Sequence, residues 1–87
     1  MFNEYIQAAI TTAKYEVLDD GSIYAEIPDC LGVFANSATF EQTRTSLIDV
    51  LEGWLIVRLR LNLEIPVILN VNLNLSETEV NTYLNKF

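Results

Sequence analysis

Residues 19–22, DDGS, constrain the fold most because they separate two short segments that suit β-strands. Adjacent aspartate and glycine tolerate the positive backbone dihedral angles of a tight hairpin turn. The segments on either side, 14–18 and 23–27, are therefore predicted to pair as antiparallel strands. The second segment alternates apolar and polar residues, which is typical of a strand with one buried face. Pro28 ends that strand because proline cannot donate to a sheet ladder.

Residues 33–42 predict a third strand followed by a long helix. Gly32 indicates a turn, and residues 33–36 extend the hairpin into a three-stranded antiparallel meander. Residues 39–42, TFEQ, fit a capping box at a helix start. The helix is predicted to reach about Leu61, although residues 57–65 alternate as a strand would, and leucine and arginine favour the helix. The core stripe of this helix is predicted to contain Leu47, Leu51, Trp54 and Leu55.

The remaining segments complete an α+β fold in a single domain, residues 1–87. The spacing of apolar residues in 2–13 predicts a short amphipathic helix. After Pro66, residues 67–75 alternate and predict a further strand, and residues 76–79, SETE, begin a short C-terminal helix. The core therefore spans 14–75, with terminal helices in 1–13 and 76–87.

The charge and composition narrow the function classes. Twelve acidic and five basic residues give a formal net charge of -7, which disfavours direct nucleic-acid binding and favours basic partners. Histidine is absent, so the commonest general base and metal ligand are missing. A hydrophobic fraction of 51% in so small a chain predicts a homo-oligomer, a dimer or a tetramer. With no signal peptide or membrane-spanning segment evident in the sequence, we expect a cytoplasmic, non-membrane protein.

The joint spacing of residues between 14 and 68 resembles the HicB-like antitoxin family. That family's pattern runs G-x-Y-x-A-x-V-P-D-L-P-G-C, then T-L-E-E-A and a helix. The matching positions here are Gly21, Tyr24, Ala25, Glu26, Pro28, Asp29, Gly32, Thr39, Glu41, Leu51, Glu52, Trp54 and Pro66.

The resemblance implies a βββαβ core like a shortened ribonuclease H fold without its catalytic acids. It also implies a partner: a small basic toxin, HicA, that cleaves messenger RNA. The sequence departs from the family at Cys30 and Leu31, where Leu-Pro is usual, at Val33, and in the helix before the first strand. Many members add a DNA-binding domain, but with 21 residues after Pro66 we do not expect a separate one in this chain. The less favoured alternative is that this chain itself binds DNA through a polar strand face of Asn70, Asn72 and Asn74.

Most residues that could act in catalysis or metal binding are better explained by a structural role. Cys30 lacks a base and lies beside Asp29, so it is predicted to be an apolar turn residue rather than a nucleophile. Glu41 and Glu52 lie roughly 16 Å apart along a helix and cannot share a metal ion. Trp54 is predicted to pack in the core or an oligomer interface.

Three exposed residues remain as a predicted partner interface: Tyr24, Glu26 and Asp29. The leading hypothesis is thus a HicB-like antitoxin that occludes its toxin without catalysis, cofactor or metal. The alternative is an orphan homo-oligomeric binding module of the same fold, and a nuclease is the least favoured hypothesis.

Overall fold

The computed structural model describes residues 2–71. Helix α1 (Phe2–Thr11) precedes strands β1 (Lys14–Val17), β2 (Ile23–Glu26) and β3 (Phe34–Ser37), and helix α2 (Phe40–Arg60) follows them. The strands form one antiparallel sheet in the order β1-β2-β3. The predicted α+β class, the meander and the long helix after it are confirmed. Among the described residues, no helix combines the length and hydropathy needed to cross a membrane.

The predicted hairpin turn joins β1 to β2 through residues 18–22, where a hydrogen bond between Leu18 and Ser22 closes a three-residue loop. The Gly21 amide donates to the Leu18 carbonyl at 2.9 Å, and the Leu18 amide donates to the Ser22 carbonyl at 2.9 Å. Gly21 has a φ of 85°, a conformation that glycine adopts without a Cβ penalty. The Asp20 carboxylate accepts from both the amide and the hydroxyl of Ser22, which lowers the pKa of Asp20. This turn sets the register that places Glu16 opposite Tyr24.

Two successive tight turns join β2 to β3. The Cys30 amide donates to the Ile27 carbonyl and the Val33 amide to the Cys30 carbonyl, each at 3.0 Å. The Ile27 amide closes the loop on the Val33 carbonyl at 3.1 Å. Gly32 has a φ of 91° at the third position of the second turn, where a type II turn requires a positive value. The loop therefore turns Cys30 into the core and leaves Leu31 exposed.

The core lies between the sheet and α2, which packs on β2 and β3. Leucines at every fourth position of α2 are fully or almost fully buried, as are inward side chains of the sheet such as Ala25 and Ala35. Thr43 is the buried polar residue of this helix face, and its hydroxyl lies 3.0 Å from the Ile23 carbonyl oxygen. The helix thus contacts the sheet through a stripe of Thr43, Leu47, Leu51, Leu55 and Leu59.

Helix α1 packs against α2 and is tied to the chain beyond it by one tyrosine. Tyr5 is completely buried, and its hydroxyl donates to the Pro66 carbonyl at 2.6 Å. The hydroxyl is also 3.9 Å from the Cys30 sulfur. Burial is the main cause that raises the pKa of Tyr5. This side chain therefore connects the N-terminal helix, the β2–β3 loop and the segment after α2.

Both ends of α2 match the sequence prediction. Thr39 is the N-cap, and its hydroxyl accepts from the Gln42 amide at 3.1 Å. At the other end, the Leu63 amide donates to the Arg58 carbonyl at 2.9 Å and the Asn62 amide to Leu59 at 3.2 Å. With Asn62 at a φ of 53°, these bonds form a Schellman motif. The helical interpretation of residues 57–61 is therefore confirmed.

The strand predicted after Pro66 is not present in the described part of that segment. Ile68 and Val71 exchange backbone hydrogen bonds around a two-residue turn, with Leu69 and Asn70 at φ values of 48° and 66°. Positive φ at both central positions is the geometry of a type I′ turn, which an extended strand cannot contain. The rest of the predicted strand, residues 72–75, and the predicted C-terminal helix lie outside the described residues.

Candidate functional site

The side of the sheet that faces away from α2 is an exposed surface built by three adjacent strands. Successive side chains of a strand point to opposite faces of the sheet. Because Ala25 and Ala35 are buried on the face towards α2, their neighbours along the strands lie on the other face. Antiparallel sheets commonly leave one face to solvent, and that face is usually polar. Here the outer sheet face consists of Lys14, Glu16, Tyr24, Glu26, Phe34 and Asn36.

Two aromatic rings contact each other on the outer sheet face. Tyr24 and Phe34 lie on adjacent strands with ring centroids 6.2 Å apart and planes inclined by 28°. Phe34 is 55% exposed although it is wholly apolar. Such aromatic pairs present a broad apolar surface.

Carboxylates flank the two rings. The strand register places Glu16 directly opposite Tyr24 and Glu26 directly opposite Phe34. Lys14 lies across from Glu26 and is the single cation among the strand residues of this face. Directly opposed side chains in a sheet are about 5 Å apart at Cβ. Each ring therefore has an acidic neighbour within reach of a cation that stacks on it.

Of the three predicted interface residues, the structure brings two together. Tyr24 and Glu26 lie two residues apart on the same face of β2. Asp29 lies in the turn beyond the strand, is exposed, and is not part of the outer sheet face. Its charge contributes to the raised pKa values of Tyr5 and Cys30, which lie on the helical side of the loop.

Sequence reasoning missed Phe34 and Glu16 as members of this surface. The sequence places Phe34 in the third strand, but a four-residue strand does not reveal which of its faces is buried. The length of the hairpin loop could have predicted the position of Glu16, because this length sets the strand register and places Glu16 opposite Tyr24. No comparable signal existed for Phe34, whose register depends on the double turn of the β2–β3 loop.

Cys30 has the environment of a packing residue. Its side chain is 1% exposed, and desolvation is the first cause that raises the pKa of the thiol. A raised pKa leaves little thiolate at neutral pH, and the thiolate is the reactive form of cysteine. The thiol and the Tyr5 hydroxyl lie 3.9 Å apart, within the longer hydrogen-bond distance that sulfur allows. These surroundings support the predicted role of Cys30 in the turn.

Trp54 connects α2 to the β2–β3 loop by a side-chain hydrogen bond. It is half-buried against the core, and its indole Nε1 donates to the Leu31 carbonyl at 3.1 Å. The Arg58 guanidinium lies 4.7 Å from the Trp54 ring centroid, and Arg58 Nε donates to the Glu64 carbonyl at 2.8 Å. Arg58 therefore has structural partners on both sides.

The remaining acidic candidates do not converge within the described part of the chain. No three cysteine, aspartate or glutamate side chains of residues 2–71 are grouped so that they could hold a metal ion. Glu41 lines a shallow depression at the start of α2, together with Thr39 and Gln42, which form the helix cap. The depression is therefore part of the helix N-terminus.

The fold and its exposed sheet define a small α+β protein, and comparisons identify its family. The sequence pattern of the UPF0150-like family matches residues 4–66. The chain belongs to this family, since the match covers well over half of its length. It is also similar to the crystal structure of TTHA0281 from Thermus thermophilus. That likeness has a TM-score of 0.81 and 30% sequence identity, and covers 86% of this chain and 94% of the other. No curated protein matched the chain.

Proposed function

We propose that this protein is a HicB-like antitoxin that binds a small basic mRNA-cleaving toxin and covers its active site. The mechanism is occlusion by protein–protein contact, with no catalysis by this chain. The HicB-like spacing of Gly21, Ala25, Pro28, Asp29 and Gly32 supports the proposal. In this proposal the chain acts in the cytoplasm, where messenger RNA is cleaved, and its complete core has the βββαβ order.

The observation that carries the proposal is the outer sheet face. Protein interfaces are enriched in aromatic residues, and an exposed aromatic pair can anchor a partner. Tyr24 and Phe34 form such a pair, with Glu16 and Glu26 beside them. The chain carries a formal charge of -7, which steers it towards a basic partner and accelerates encounter. An aromatic centre with an acidic rim matches the chemistry of a basic toxin surface.

Co-expression with a small basic HicA-like toxin, sought first among the genes adjacent to this one, tests the proposal. The toxin alone is expected to arrest growth, and this chain is expected to restore growth and to co-purify with the toxin. Phe34→Ala is expected to weaken both effects. Phe40→Ala is the matched control, because Phe40 is also 55% exposed and also contacts a tyrosine ring, that of Tyr15 at 5.8 Å. Growth arrest that this chain does not relieve would contradict the proposal.

A second candidate is an orphan homo-oligomeric binding module of the same fold. The observation that favours it is a group of exposed apolar side chains at the β1 edge of the sheet. Val17 is 60% exposed and Tyr15 37% exposed although both point towards the helical side, and Phe40 lies beside Tyr15. A second copy that covers this edge would bury them. Sedimentation of the purified chain tests this: a monomer at high concentration would exclude the candidate.

A further inference from the structure

We infer that the outer sheet face binds an arginine side chain of its protein partner, with the guanidinium stacked on the Tyr24–Phe34 pair. The inference rests on the proposed function in taking a basic protein as the occupant. It goes further by naming the side chain that is recognised and the residues that recognise it.

The aromatic pair supplies the stacking surface. The two ring planes are inclined by 28° with centroids 6.2 Å apart, so they present nearly parallel faces on neighbouring strands. A cation over an aromatic face is attracted by the negative charge of the ring face, and arginine stacks through its flat guanidinium. The same contact already occurs inside this protein, where the Arg58 guanidinium lies 4.7 Å from the Trp54 ring centroid.

The carboxylates select a guanidinium over an ammonium. Glu16 lies across from Tyr24 and Glu26 lies across from Phe34, so each ring has one carboxylate beside it. A planar guanidinium donates several hydrogen bonds within its own plane while its face stays on the rings. A lysine ammonium is a compact point charge that cannot stack and bridge in this way.

The charge of the chain disfavours two other occupants of the outer sheet face. A second copy brings the same net charge of -7 and the same acidic face, so like charges would oppose each other. A nucleic acid brings a phosphate backbone, which the glutamates repel. A basic protein surface is the occupant with complementary charge.

Titration of the isotope-labelled full chain with a short oligo-arginine peptide tests the inference by NMR. An oligo-lysine peptide of the same length is the control for charge alone. The arginine peptide is expected to bind more tightly and to shift the amide and ring signals of Tyr24, Glu26 and Phe34. Phe34→Ala and Glu26→Gln are each expected to weaken arginine-peptide binding about two- to fivefold. Phe40→Ala and Glu64→Gln, which change exposed residues elsewhere, are expected to leave binding unchanged.

Three results would overturn the inference. Equal affinity for both peptides would show attraction by charge without recognition of arginine. Shifts outside the outer sheet face would place the site elsewhere. Signals of this face that change when the protein alone is diluted would assign the face to an interface between copies. The co-expression result with the unsubstituted chain is independent: relief of growth arrest by a chain that binds both peptides equally keeps the proposed function and removes this inference.

Discussion

The three glycines of the chain offer a sharp test of how its backbone is held. A Cβ added at Gly21, Gly32 or Gly53 meets no heavy atom within 4 Å. Steric crowding therefore does not distinguish the three sites. Their backbone conformations do, because Gly21 and Gly32 have positive φ values in turns and Gly53 lies inside α2. Alanine substitution is expected to change stability in opposite directions at the two kinds of site.

Gly53→Ala is expected to stabilise the protein. Alanine is favoured over glycine in a helix interior by about 0.8–1.0 kcal/mol, and the exposed site removes no packing. A gain of about 1 kcal/mol corresponds to a rise of roughly 4–8 °C in Tm for a domain of this size.

Gly21→Ala is expected to destabilise the protein. At a φ of 85° an alanine Cβ approaches its own carbonyl oxygen, which costs about 1–2 kcal/mol. The substitution also restricts the unfolded chain, which offsets about 0.4–1 kcal/mol. The net expectation is a loss of about 1 kcal/mol.

Urea and thermal denaturation followed by far-UV circular dichroism measure both effects. Gly32→Ala, at a φ of 91°, is the replicate of the turn substitution in a second loop. Changes of the same sign at Gly21 and Gly53 would refute the assignment of these backbone conformations. An unchanged Tm for Gly53→Ala would show that α2 does not extend through that position as a regular helix.

Three further predictions concern buried groups and a helix cap. Tyr5→Phe removes the hydroxyl that donates to the Pro66 carbonyl, so the free energy of unfolding is expected to fall by about 1 kcal/mol in urea denaturation. Thr39→Ala removes the N-cap of α2 and is expected to cost about 1 kcal/mol, whereas Thr39→Ser retains most of it. Burial raises the pKa of the Cys30 thiol, so the unfolded chain loses this proton first. The protonated Cys30 thiol therefore contributes fully to the free energy of unfolding below the unfolded pKa of about 8.5. This contribution is lost as the pH rises through the folded pKa. Urea denaturation across this range is expected to give a falling free energy of unfolding, with a shallower slope in Cys30→Ala; equal slopes would contradict the burial of the thiol.

Local sequence signals predicted the elements that depend on local chemistry. The turn at residues 19–22 followed from adjacent aspartate and glycine, and the start of α2 followed from Thr39 and Gln42. The end of α2 depended on the tolerance of Asn62 for a left-handed conformation, and its φ of 53° confirms it. Each of these features is decided by a few consecutive residues.

Features that depend on tertiary contacts were not predictable in the same way. The alternation of residues 67–71 indicated a strand, but Leu69 and Asn70 adopt positive φ values in a tight turn. Leucine disfavours this conformation, so no propensity argument predicts it. Helical periodicity placed Trp54 in the core stripe, but the structure leaves it half-buried beside that stripe. Its hydrogen bond to the Leu31 carbonyl joins residues 23 positions apart, which periodicity cannot reveal. Phe34 lies on the outer sheet face because of the register between β2 and β3, which its neighbours in the sequence do not reveal.

Inhibition of the toxin's RNA cleavage is the most direct test of the proposed function. A purified HicA-like toxin is incubated with messenger RNA and increasing amounts of this chain. Cleavage is expected to fall in proportion to added chain until the two proteins are equimolar, and the chain alone is expected to cleave nothing. Phe34→Ala is expected to require a higher concentration, and Phe40→Ala is not. Undiminished cleavage in excess of this chain, or cleavage by this chain alone, would contradict the proposed occlusion.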